Sequence, residues 1–423
     1  MRILVVGSGG REHAMCWAIS GSPFLTKLFC APGNAGIERE AECVSIAADD
    51  YDGLVAFCID KVIDFVVIGP EGPLVDGLVD KLGDAGIQSF GPNAAAATLE
   101  GSKVFAKDFC IRHNIPTASY AHFTDADTAK AYIRKQSLPI VIKTDGLAAG
   151  KGVFIAERIN QAMDIVDRIM IDGVFGKSGK EIIIEECMIG QEVSFFTLTD
   201  GDVILPMISA QDYKRVGEGD TGPNTGGMGA CSPAPIIDDL LSIKIINEII
   251  SPTIAGMAAE GRKFRGVLYA GLMITDSGPK VIEYNVRFGD PECQALILLL
   301  KSDFLSALIA TTNEKICNIH LNWHDYTSLC VVMASRGYPG SYQKNSVINK
   351  ISEIESDDVV VFHAGTSWDR EGRLLATGGR VLGITALGKN IVQAREKVYS
   401  AINKIDWPEG FNRHDIACHA LNL

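Results

Sequence analysis

The sequence lacks paired C-x-x-C cysteines, a signal-peptide pattern before its first predicted strand, and any apolar run of the roughly 18 residues that a membrane span needs. It does contain 11 cysteines, but they are scattered through apolar contexts such as those of Cys58, Cys110, Cys187 and Cys330. This distribution is typical of buried thiols in a reducing compartment, and it argues against a disulfide framework or a zinc site. We therefore expect a cytoplasmic protein that does not bind membranes.

The sequence also has no excess of positive charge. Its 423 residues carry a formal net charge of -13 at pH 7, which argues against binding to nucleic acid or to anionic membranes. Hydrophobic residues at 47% and charged residues at 22% are ordinary for a globular protein, and the length predicts two to four packed units. Any phosphate group must therefore be bound by local lysines, a metal ion, backbone amides or helix N-termini.

The first 100 residues predict an open parallel α/β sheet. The apolar run 2–6 is followed at once by a glycine turn and by a helix that begins at about Arg11, an order typical of phosphate-binding sites. A dinucleotide site is disfavoured, because Glu12 replaces the last glycine of that motif and the second strand ends at Pro32 without an acidic residue. Ligands in such sheets bind outside the carboxyl ends of the strands. This rule brings together one set of rim residues: Gly9, Gly10, Arg11, Asn34, Gly36, Glu71 and Pro73.

Two lysines in the next part of the chain indicate contact with an anion. Lys103 lies in the first turn of a predicted helix, which is unfavourable beside the helix dipole unless an anion is near. Lys143 lies within a buried strand, residues 139–144, where its charge needs a negative partner; a nucleotide phosphate would serve.

A glycine-rich loop, residues 145–153, follows that strand. Its backbone amides can approach an anion closely. It is not a Walker A loop, because only three residues separate Gly146 from Gly150 and no Ser or Thr follows Lys151. The composition of the loop therefore indicates contact with an anion.

The β-forming residues of 280–286 predict a strand, and its polar side chains are candidate metal ligands. Alternate side chains of a strand share a face, so Glu283 and Asn285 point the same way and Arg287 follows them. One carboxylate and one amide oxygen form a ligand pair suited to Mg²⁺, which is usually completed by substrate phosphates. Arg287 adds a fixed positive charge suited to a carboxylate or phosphate.

The run Arg287-Phe-Gly-Asp-Pro-Glu292 resembles the signature of the glycinamide ribonucleotide synthetase (phosphoribosylamine–glycine ligase) family of ATP-grasp enzymes, and the chain resembles that family from end to end. The resemblance implies a multidomain α/β and α+β protein. An open parallel α/β sheet would occupy residues 1–100, an ATP-grasp fold of two α+β subdomains 101–325 with a mobile lid at about 118–190, and a small α+β cap 326–423. We interpret the cap as a structural wall of the cleft.

The resemblance also implies ATP-dependent ligation of glycine to 5-phosphoribosylamine through glycyl phosphate, with Mg²⁺ or Mn²⁺ as cofactor, in a cytoplasmic monomer. It implies residues for each role. For ATP these are Lys103, Lys143, Gly150, Lys151, Gly152, Glu185, Glu186, Cys187, Met188 and Glu192. For the other substrates they are Gly9, Gly10, Arg11, Asn34, Glu71, Lys214, Arg287 and Asp290. The catalytic residues would be Arg287, Lys143 and Asp212, and the metal ligands Glu283 and Asn285.

Two alternatives stay open. Another ATP-grasp carboxylate–amine ligase would share the nucleotide residues but differ at the N-terminal rim and in residues 206–235, a long segment with little regular pattern. A noncatalytic nucleotide-binding regulator is expected to lack the metal pair or the lysines.

Overall fold

The computed structural model describes residues 1–148 and 151–418. Its N-terminal part is a parallel sheet with the strand order β3-β2-β1-β4-β5, and all members of β1 but its first residue are fully buried, as expected for a sheet covered on both faces. The strands are β1 (Arg2–Gly7), β2 (Lys27–Pro32), β3 (Glu42–Cys43), β4 (Phe65–Ile68) and β5 (Gln88–Phe90). The helices are α1 (Gly10–Ser20), α2 (Tyr51–Asp60), α3 (Glu71–Val75), α4 (Leu78–Asp84) and α5 (Ala94–Gly101).

The order of the strands reverses at β1, because β2 and β3 are added on one side of it and β4 and β5 on the other. Ligands of open α/β sheets bind in the crevice outside such a switch point. Gly9 and Asn34 lie in the turns after β1 and β2, and Glu71 is the first residue of α3, the helix that follows β4. The predicted rim residues therefore lie at one edge of the sheet.

Helix α6 (Lys103–Arg112) leads to a separate antiparallel sheet with the order β6-β9-β7-β8. Its elements are β6 (Tyr120–Phe123), α7 (Ala126–Ile133), β7 (Ile140–Thr144), β8 (Val153–Ala156), α8 (Ile159–Val166) and β9 (Ile182–Glu186). The two helices close a core of their own, to which Ile133, Ile142 and Ile184 contribute. We call this part the small sheet.

The central sheet has the order β11-β10-β16-β17. Its strands are β10 (Gln191–Thr199), β11 (Ile204–Pro206), β16 (Gly266–Thr275) and β17 (Gly278–Asn285). Strands β16 and β17 form the hairpin that the sequence predicts, with Gly271 opposite Glu283 and a register shift at Ile282. Tyr284 and Val281 pack in one core with Leu4 and Val66 of the N-terminal sheet, so β17 is held rigidly.

Residues 206–235 are more regular than the sequence pattern indicates. They contain β12 (Gln211–Asp212), β13 (Arg215–Gly217), β14 (Thr221–Asn224) and β15 (Gly229–Ser232). Strand β15 pairs with residues 328–331, far along the chain, and β12 pairs with β15. These pairings are long-range, which is why local patterns do not predict them.

The C-terminal part completes a sheet with the order β12-β15-β18-β23-β20. It also contains a three-stranded sheet with the order β19-β22-β21. Its elements are β18 (Thr327–Ser335), β19 (Ser346–Ile348), β20 (Val359–His363), β21 (Thr366–Trp368), β22 (Leu374–Ala376), β23 (Arg380–Gly388), α13 (Ile391–Ile402) and β24 (Gly410–Phe411). Before it come α9 (Asp239–Ile245), α10 (Ser251–Ala259), α11 (Glu292–Leu299) and α12 (Phe304–Thr312). Helix α11 begins at Glu292, the last residue of the run 287–292, which we call the hexapeptide, and it is buried throughout.

One helical stretch, Asp239–Ala259, has the length and the mean hydropathy, 1.3, of a membrane span, contrary to the sequence expectation. It contains Lys244 and Glu248, and its inward face packs Ile245, Ile249 and Met257 into the main core. This packing is typical of an amphipathic core helix.

Candidate active site

Glu283 and Asn285 lie near the end of β17, as the sequence predicts. Burial would raise the pKa of Glu283, but nearby positive charges outweigh it and lower the pKa to about 2. These charges belong to Lys214, Lys103, Lys143 and Arg287. The Glu283 carboxylate is thus ionised and lies among cations, 3.5 Å from the ammonium group of Lys214.

The donor set at β17 fits a magnesium ion that is shared with phosphate groups. Glu283 offers an ionised carboxylate, and the Asn285 amide oxygen has two lone pairs, of which one accepts a hydrogen bond of 2.9 Å from Arg287. Within residues 1–148 and 151–418 no group of three or more His, Cys, Asp or Glu side chains could hold a metal. Further ligands would come from substrate oxygens and water, as is usual for Mg²⁺.

Arg287 is held by carboxylates on two sides. Its Nη2 lies 2.9 Å from Glu100 and its Nε 3.3 Å from Glu71. Burial alone would lower the pKa of Arg287, but these carboxylates raise it. Glu71 was predicted as a rim residue, whereas Glu100, at the end of α5, was missed because nothing in its local sequence marks it. The guanidinium is therefore charged and fixed in orientation.

The Lys143 ammonium group has a partner within the protein. Its Nζ lies 2.9 Å from the Glu185 carboxylate and 3.3 Å from the backbone oxygen of Ile282 on β17. The same carboxylate lies 3.3 Å from Lys107. The sequence analysis names Glu185 among the ATP residues and misses Lys107; in the structure the Glu185 carboxylate lies against both lysines.

Lys103 is the first residue of α6, and the anion near this helix start is Asp145. The Asp145 carboxylate accepts hydrogen bonds of 2.8 Å from the Val104 amide and 3.0 Å from Ser102. Lys103 remains close enough to Glu283 to lower its pKa. The Asp145 carboxylate thus supplies the negative charge that a helix beginning with lysine needs. The Lys103 charge also acts on Glu283 of β17.

The glycine-rich loop is described only in part. Gly150 lies outside the described residues, and Lys151 is exposed. The Gly152 carbonyl accepts a hydrogen bond of 2.9 Å from the Thr144 amide, and a Cβ on Gly152 would lie 2.2 Å from the Thr144 hydroxyl. Gly152 is therefore required for the close turn at the base of the loop.

The other residues predicted for the nucleotide lie between the last residue of β9 and the start of β10. The Glu186 side chain accepts a hydrogen bond of 3.1 Å from the Ser119 amide, which lowers its pKa. Cys187 and Met188 are partly exposed beside it. Glu192, at the start of β10, forms an ion pair with Lys214.

Lys214 connects the two ends of the predicted site, because it contacts both Glu192 and Glu283. Asp212 lies close by; burial and the Glu292 carboxylate raise the pKa of Asp212 well above its usual range. Glu292 in turn accepts a hydrogen bond of 2.7 Å from the Tyr269 hydroxyl. The structure thus brings together Asp212, Lys214 and the last residue of the hexapeptide.

The glycine turn after β1 differs from the sequence interpretation of an open phosphate site. The Gly9 amide donates to Glu12 at 2.6 Å and the Arg11 amide to Asp290 at 3.3 Å. A Cβ on Gly9 would lie 2.7 Å from Glu12, and one on Gly10 would lie 2.4 Å from Gln294. The glycines make room for these side chains, so the helix start is already occupied by carboxylates.

Arg11 is also committed within the protein. Its guanidinium donates to Glu12 at 2.7 Å and to the backbone oxygen of Phe288 at 3.0 Å. It therefore joins α1 to the hexapeptide and is nearly inaccessible to a ligand, with 7% exposure. Prediction of Arg11 as a substrate contact is not supported by this geometry.

A cleft of about 340 Å³ lies between the N-terminal rim and the C-terminal part. It is lined by Ser8, Gly9, Gly33, Asn34, Asp290, Tyr338, Ala364, Gly365, Thr366, Thr377 and Arg380. The Asn34 amide donates at 2.9 Å to the backbone oxygens of Ser8 and His363 and so joins both walls. Arg380 donates to the Asp290 backbone at 2.6 Å. The C-terminal part thus contributes side chains to the cleft, which the sequence interpretation as a plain wall missed.

Comparison with known families agrees with this architecture. The models of the three domains of phosphoribosylglycinamide synthetase match consecutive parts of the chain. The N domain matches residues 1–100, the ATP-grasp (A) domain residues 101–293, and the C domain residues 328–419.

Individual relatives cover the chain from end to end. It is 52% identical to the phosphoribosylamine–glycine ligase of Brucella melitensis, over 100% of this chain and 98% of the relative. It is also 52% identical to the chloroplastic phosphoribosylamine–glycine ligase of Arabidopsis thaliana, over 97% of this chain and 79% of the relative.

Solved structures show the same fold. The crystal structure of phosphoribosylamine–glycine ligase from Thermotoga maritima superposes with a TM-score of 0.86 at 32% identity, covering 98% of this chain and 100% of that chain. A biotin carboxylase from Campylobacter jejuni, 13% identical, has a TM-score of 0.77 over 100% of this chain and 95% of its own, which shows a shared fold alone. The chain therefore belongs to the phosphoribosylglycinamide synthetase family of ATP-grasp ligases.

Proposed function

We propose that the protein ligates glycine to 5-phosphoribosylamine with ATP, giving glycinamide ribonucleotide, ADP and phosphate. The observation that carries this proposal is the position of Glu283, Asn285 and Arg287. The charges of Lys214, Lys103 and Lys143 act on Glu283, and Arg287 stands three residues before Asp290, which lines the cleft. A ligase needs such a junction, because the activated carboxylate forms on the nucleotide side and is attacked from the other.

The first step activates glycine. A carboxylate is a poor electrophile at neutral pH, so it is converted to an acyl phosphate by in-line transfer of the γ-phosphoryl group. Transfer between two anions depends on positioning and on charge neutralisation. Lys103 and Lys143 supply positive charge, and Arg287, fixed by Glu100 and Glu71, stabilises the transferring group. Mg²⁺ or Mn²⁺, when bound by Glu283 and Asn285, would neutralise phosphate oxygens.

The second step joins the amine to the activated glycine. The neutral amine of phosphoribosylamine attacks the acyl carbon, the new carbon–nitrogen bond forms, the amine loses a proton, and phosphate leaves. We place the sugar phosphate in the 340 Å³ cleft. Asp290 at the junction and Arg380 of the C-terminal part supply one negative and one positive group for a ligand that carries an amine and a phosphate.

Water must be excluded while the acyl phosphate exists, since its hydrolysis wastes ATP. We propose that residues of about 118–190 act as a lid that carries the loop 145–153. The separate core of the small sheet supports this proposal, because a part with its own core can move as one body. Residues 1–100 and 326–423 would then form the two walls of the nucleophile cleft.

We further propose that the enzyme acts as a cytoplasmic monomer on small molecules. The cysteines, from Cys16 to Cys418, are free thiols, as in proteins of reducing compartments. The walls of the cleft come from three parts of one chain, so a second copy is not needed to complete it. Sedimentation of the purified protein tests the oligomeric state.

ADP release tests the reaction. The purified protein is mixed with ATP, Mg²⁺, glycine and freshly made phosphoribosylamine, and each component is omitted in turn. Full turnover is expected only with all four, and the product should contain one glycine per ADP formed. ADP release that does not depend on phosphoribosylamine but increases with another amine would identify a different ATP-grasp ligase. Nucleotide binding without turnover would favour a regulator.

A further inference from the structure

Three charged side chains are buried together beside the nucleotide side of the site. Lys107, Lys143 and Glu185 are 4%, 3% and 3% exposed. One oxygen of the Glu185 carboxylate, Oε2, lies 2.9 Å from the Lys143 ammonium group, and the other, Oε1, lies 3.3 Å from that of Lys107. Lys143 supplies positive charge in the proposed reaction, whereas Lys107 has no role in it.

Lys107 is not needed to neutralise Glu185. Lys143 already does so at the shorter distance, and the second lysine leaves the cluster with a net positive charge. Burial lowers the pKa of Lys107, an effect that the Glu185 charge opposes. Burial of a further charge costs free energy unless it has a function or additional partners.

The effect of Lys107 on geometry is specific. A carboxylate held by one cation can turn about its last torsion, because that torsion is broad. Within the described residues Oε1 of Glu185 accepts no hydrogen bond, so the Lys107 ammonium group 3.3 Å away opposes this rotation by charge. A fixed Oε1 also fixes Oε2, the oxygen that lies 2.9 Å from Lys143.

Lys107 also connects the small sheet to β17. Lys143 and Glu185 stand on β7 and β9 of the small sheet, whereas Lys107 stands on α6, which packs against the main core through Phe109. The Lys107 ammonium group donates to the Thr117 hydroxyl at 2.6 Å, and Thr117 donates to the backbone oxygen of Val281 at 2.7 Å. That oxygen lies on β17, two residues before Glu283.

We propose that Lys107 is a positioning residue of the nucleotide site. Through the shared carboxylate of Glu185 it holds the Lys143 ammonium group beside β17, where the γ-phosphate and the metal pair must meet. This inference rests on the proposed use of ATP, but it does not depend on which carboxylate and amine are joined.

A double-mutant cycle on nucleotide affinity tests this. Binding of a non-hydrolysable ATP analogue with Mg²⁺ is measured by calorimetry for wild type, Lys107→Met, Lys143→Met and the double variant. Lys107→Met is expected to weaken binding about tenfold in the wild-type background and less than about twofold in the Lys143→Met background, because residues that act through one another are not additive. Independent effects that multiply in the double variant would overturn the proposal.

Two further variants keep the test decisive. Thr117→Val removes only the hydroxyl that holds Lys107, so it should weaken binding by about threefold, again only where Lys143 is present. Lys130→Met is the matched control: Lys130 pairs with Asp167 on the small sheet, away from the cluster, and its loss should leave affinity unchanged. If Lys107→Met fails to fold, Thr117→Val decides.

Turnover separates this inference from the proposed reaction. One outcome is that the binding cycle shows coupling while wild-type protein gives no glycine-dependent ADP release. That outcome would refute the proposed ligation and leave Lys107 as a positioning residue. Wild-type protein that performs the ligation but shows no coupling between Lys107 and Lys143 would refute the inference alone.

Discussion

Replacement of Arg287 by methionine should reduce both activity and stability, for separate reasons. The guanidinium lies 2.9 Å from Glu100 and 3.3 Å from Glu71. Glu100 is 8% exposed, so Arg287→Met leaves a buried carboxylate without its counter-charge. Breaking a buried pair from one side costs about 3–5 kcal/mol. Methionine keeps much of the volume, so this cost is mainly electrostatic.

The catalytic loss has a different origin. In the proposed mechanism Arg287 stabilises charge on the transferring group, and removal of one such donor lowers kcat about 10²–10³-fold. A second substitution distinguishes the two effects. Adding Glu100→Gln to Arg287→Met removes the orphaned charge and should restore about 1–3 kcal/mol of stability, but it should not restore kcat.

The assays are urea unfolding followed by fluorescence and ADP release at saturating glycine. Arg373→Met serves as the control, because Arg373 pairs with Asp369 at the surface and its loss should change neither measurement. A kcat that changes less than about threefold in Arg287→Met, against the loss expected for a transition-state donor, would remove Arg287 from the mechanism. Full recovery of kcat on adding Glu100→Gln would show that Arg287 acts only through structure.

The stability deficit of Arg287→Met should depend on pH. Burial raises the pKa of Glu100 in the folded protein, and Arg287 opposes this rise. Without Arg287 the folded state binds a proton at Glu100 more strongly than the unfolded state does. Such a group stabilises the fold at low pH, and the contribution is lost as pH rises through the raised pKa. The deficit should therefore increase with pH over the range between the Glu100 pKa of the wild-type fold and the higher Glu100 pKa of the variant. A deficit that stays constant from acidic to alkaline pH would contradict the assignment of Glu100.

Three other substitutions test separate parts of the site. Glu283→Gln should raise the Mg²⁺ concentration for half-maximal activity by about tenfold or more and leave the melting temperature unchanged; an unaltered Mg²⁺ titration would reject Glu283 as a ligand. Arg380→Met should raise KM for phosphoribosylamine about tenfold with little change in KM for ATP, and a parallel rise in both would argue against a role in the cleft. Gly36→Ala would place a Cβ 2.4 Å from the His13 ring and should cost about 1–3 kcal/mol of stability in thermal unfolding. Gly72→Ala meets open space and is its control; equal stability of the two variants would refute the packing explanation.

The sequence predicted the elements whose signals are local. Apolar runs that end in glycine turns mark the parallel strands, since both faces of such strands are buried. The hairpin of β16 and β17 follows from two β-forming runs with a turn between them, and period-2 alternation places Glu283 and Asn285 on one face. The hexapeptide 287–292 identified the family because its residues are consecutive.

Glycine patterns were less informative, because a glycine can serve a ligand or a neighbouring side chain. The turn after β1 has the composition of a phosphate site, but Gly9 makes room for Glu12, whose carboxylate accepts from the helix start. A carboxylate at the third position of a helix is a capping signal that the sequence does contain. The same Glu12 also departs from the dinucleotide motif, so the two signals coincide at one residue.

The sequence by itself thus determined the family, the reaction that the family performs, and the strand on which Glu283 and Asn285 lie. Only the tertiary structure decided which charges are paired: Arg287 with Glu100, Lys143 and Lys107 with Glu185, and Lys214 with Glu283. It also decided that Arg380 reaches the cleft. The physical reason is distance. Backbone periodicity is set by neighbours along the chain, whereas an ion pair depends on a few ångströms between residues that folding brings together, so its partners leave no mark in the local sequence.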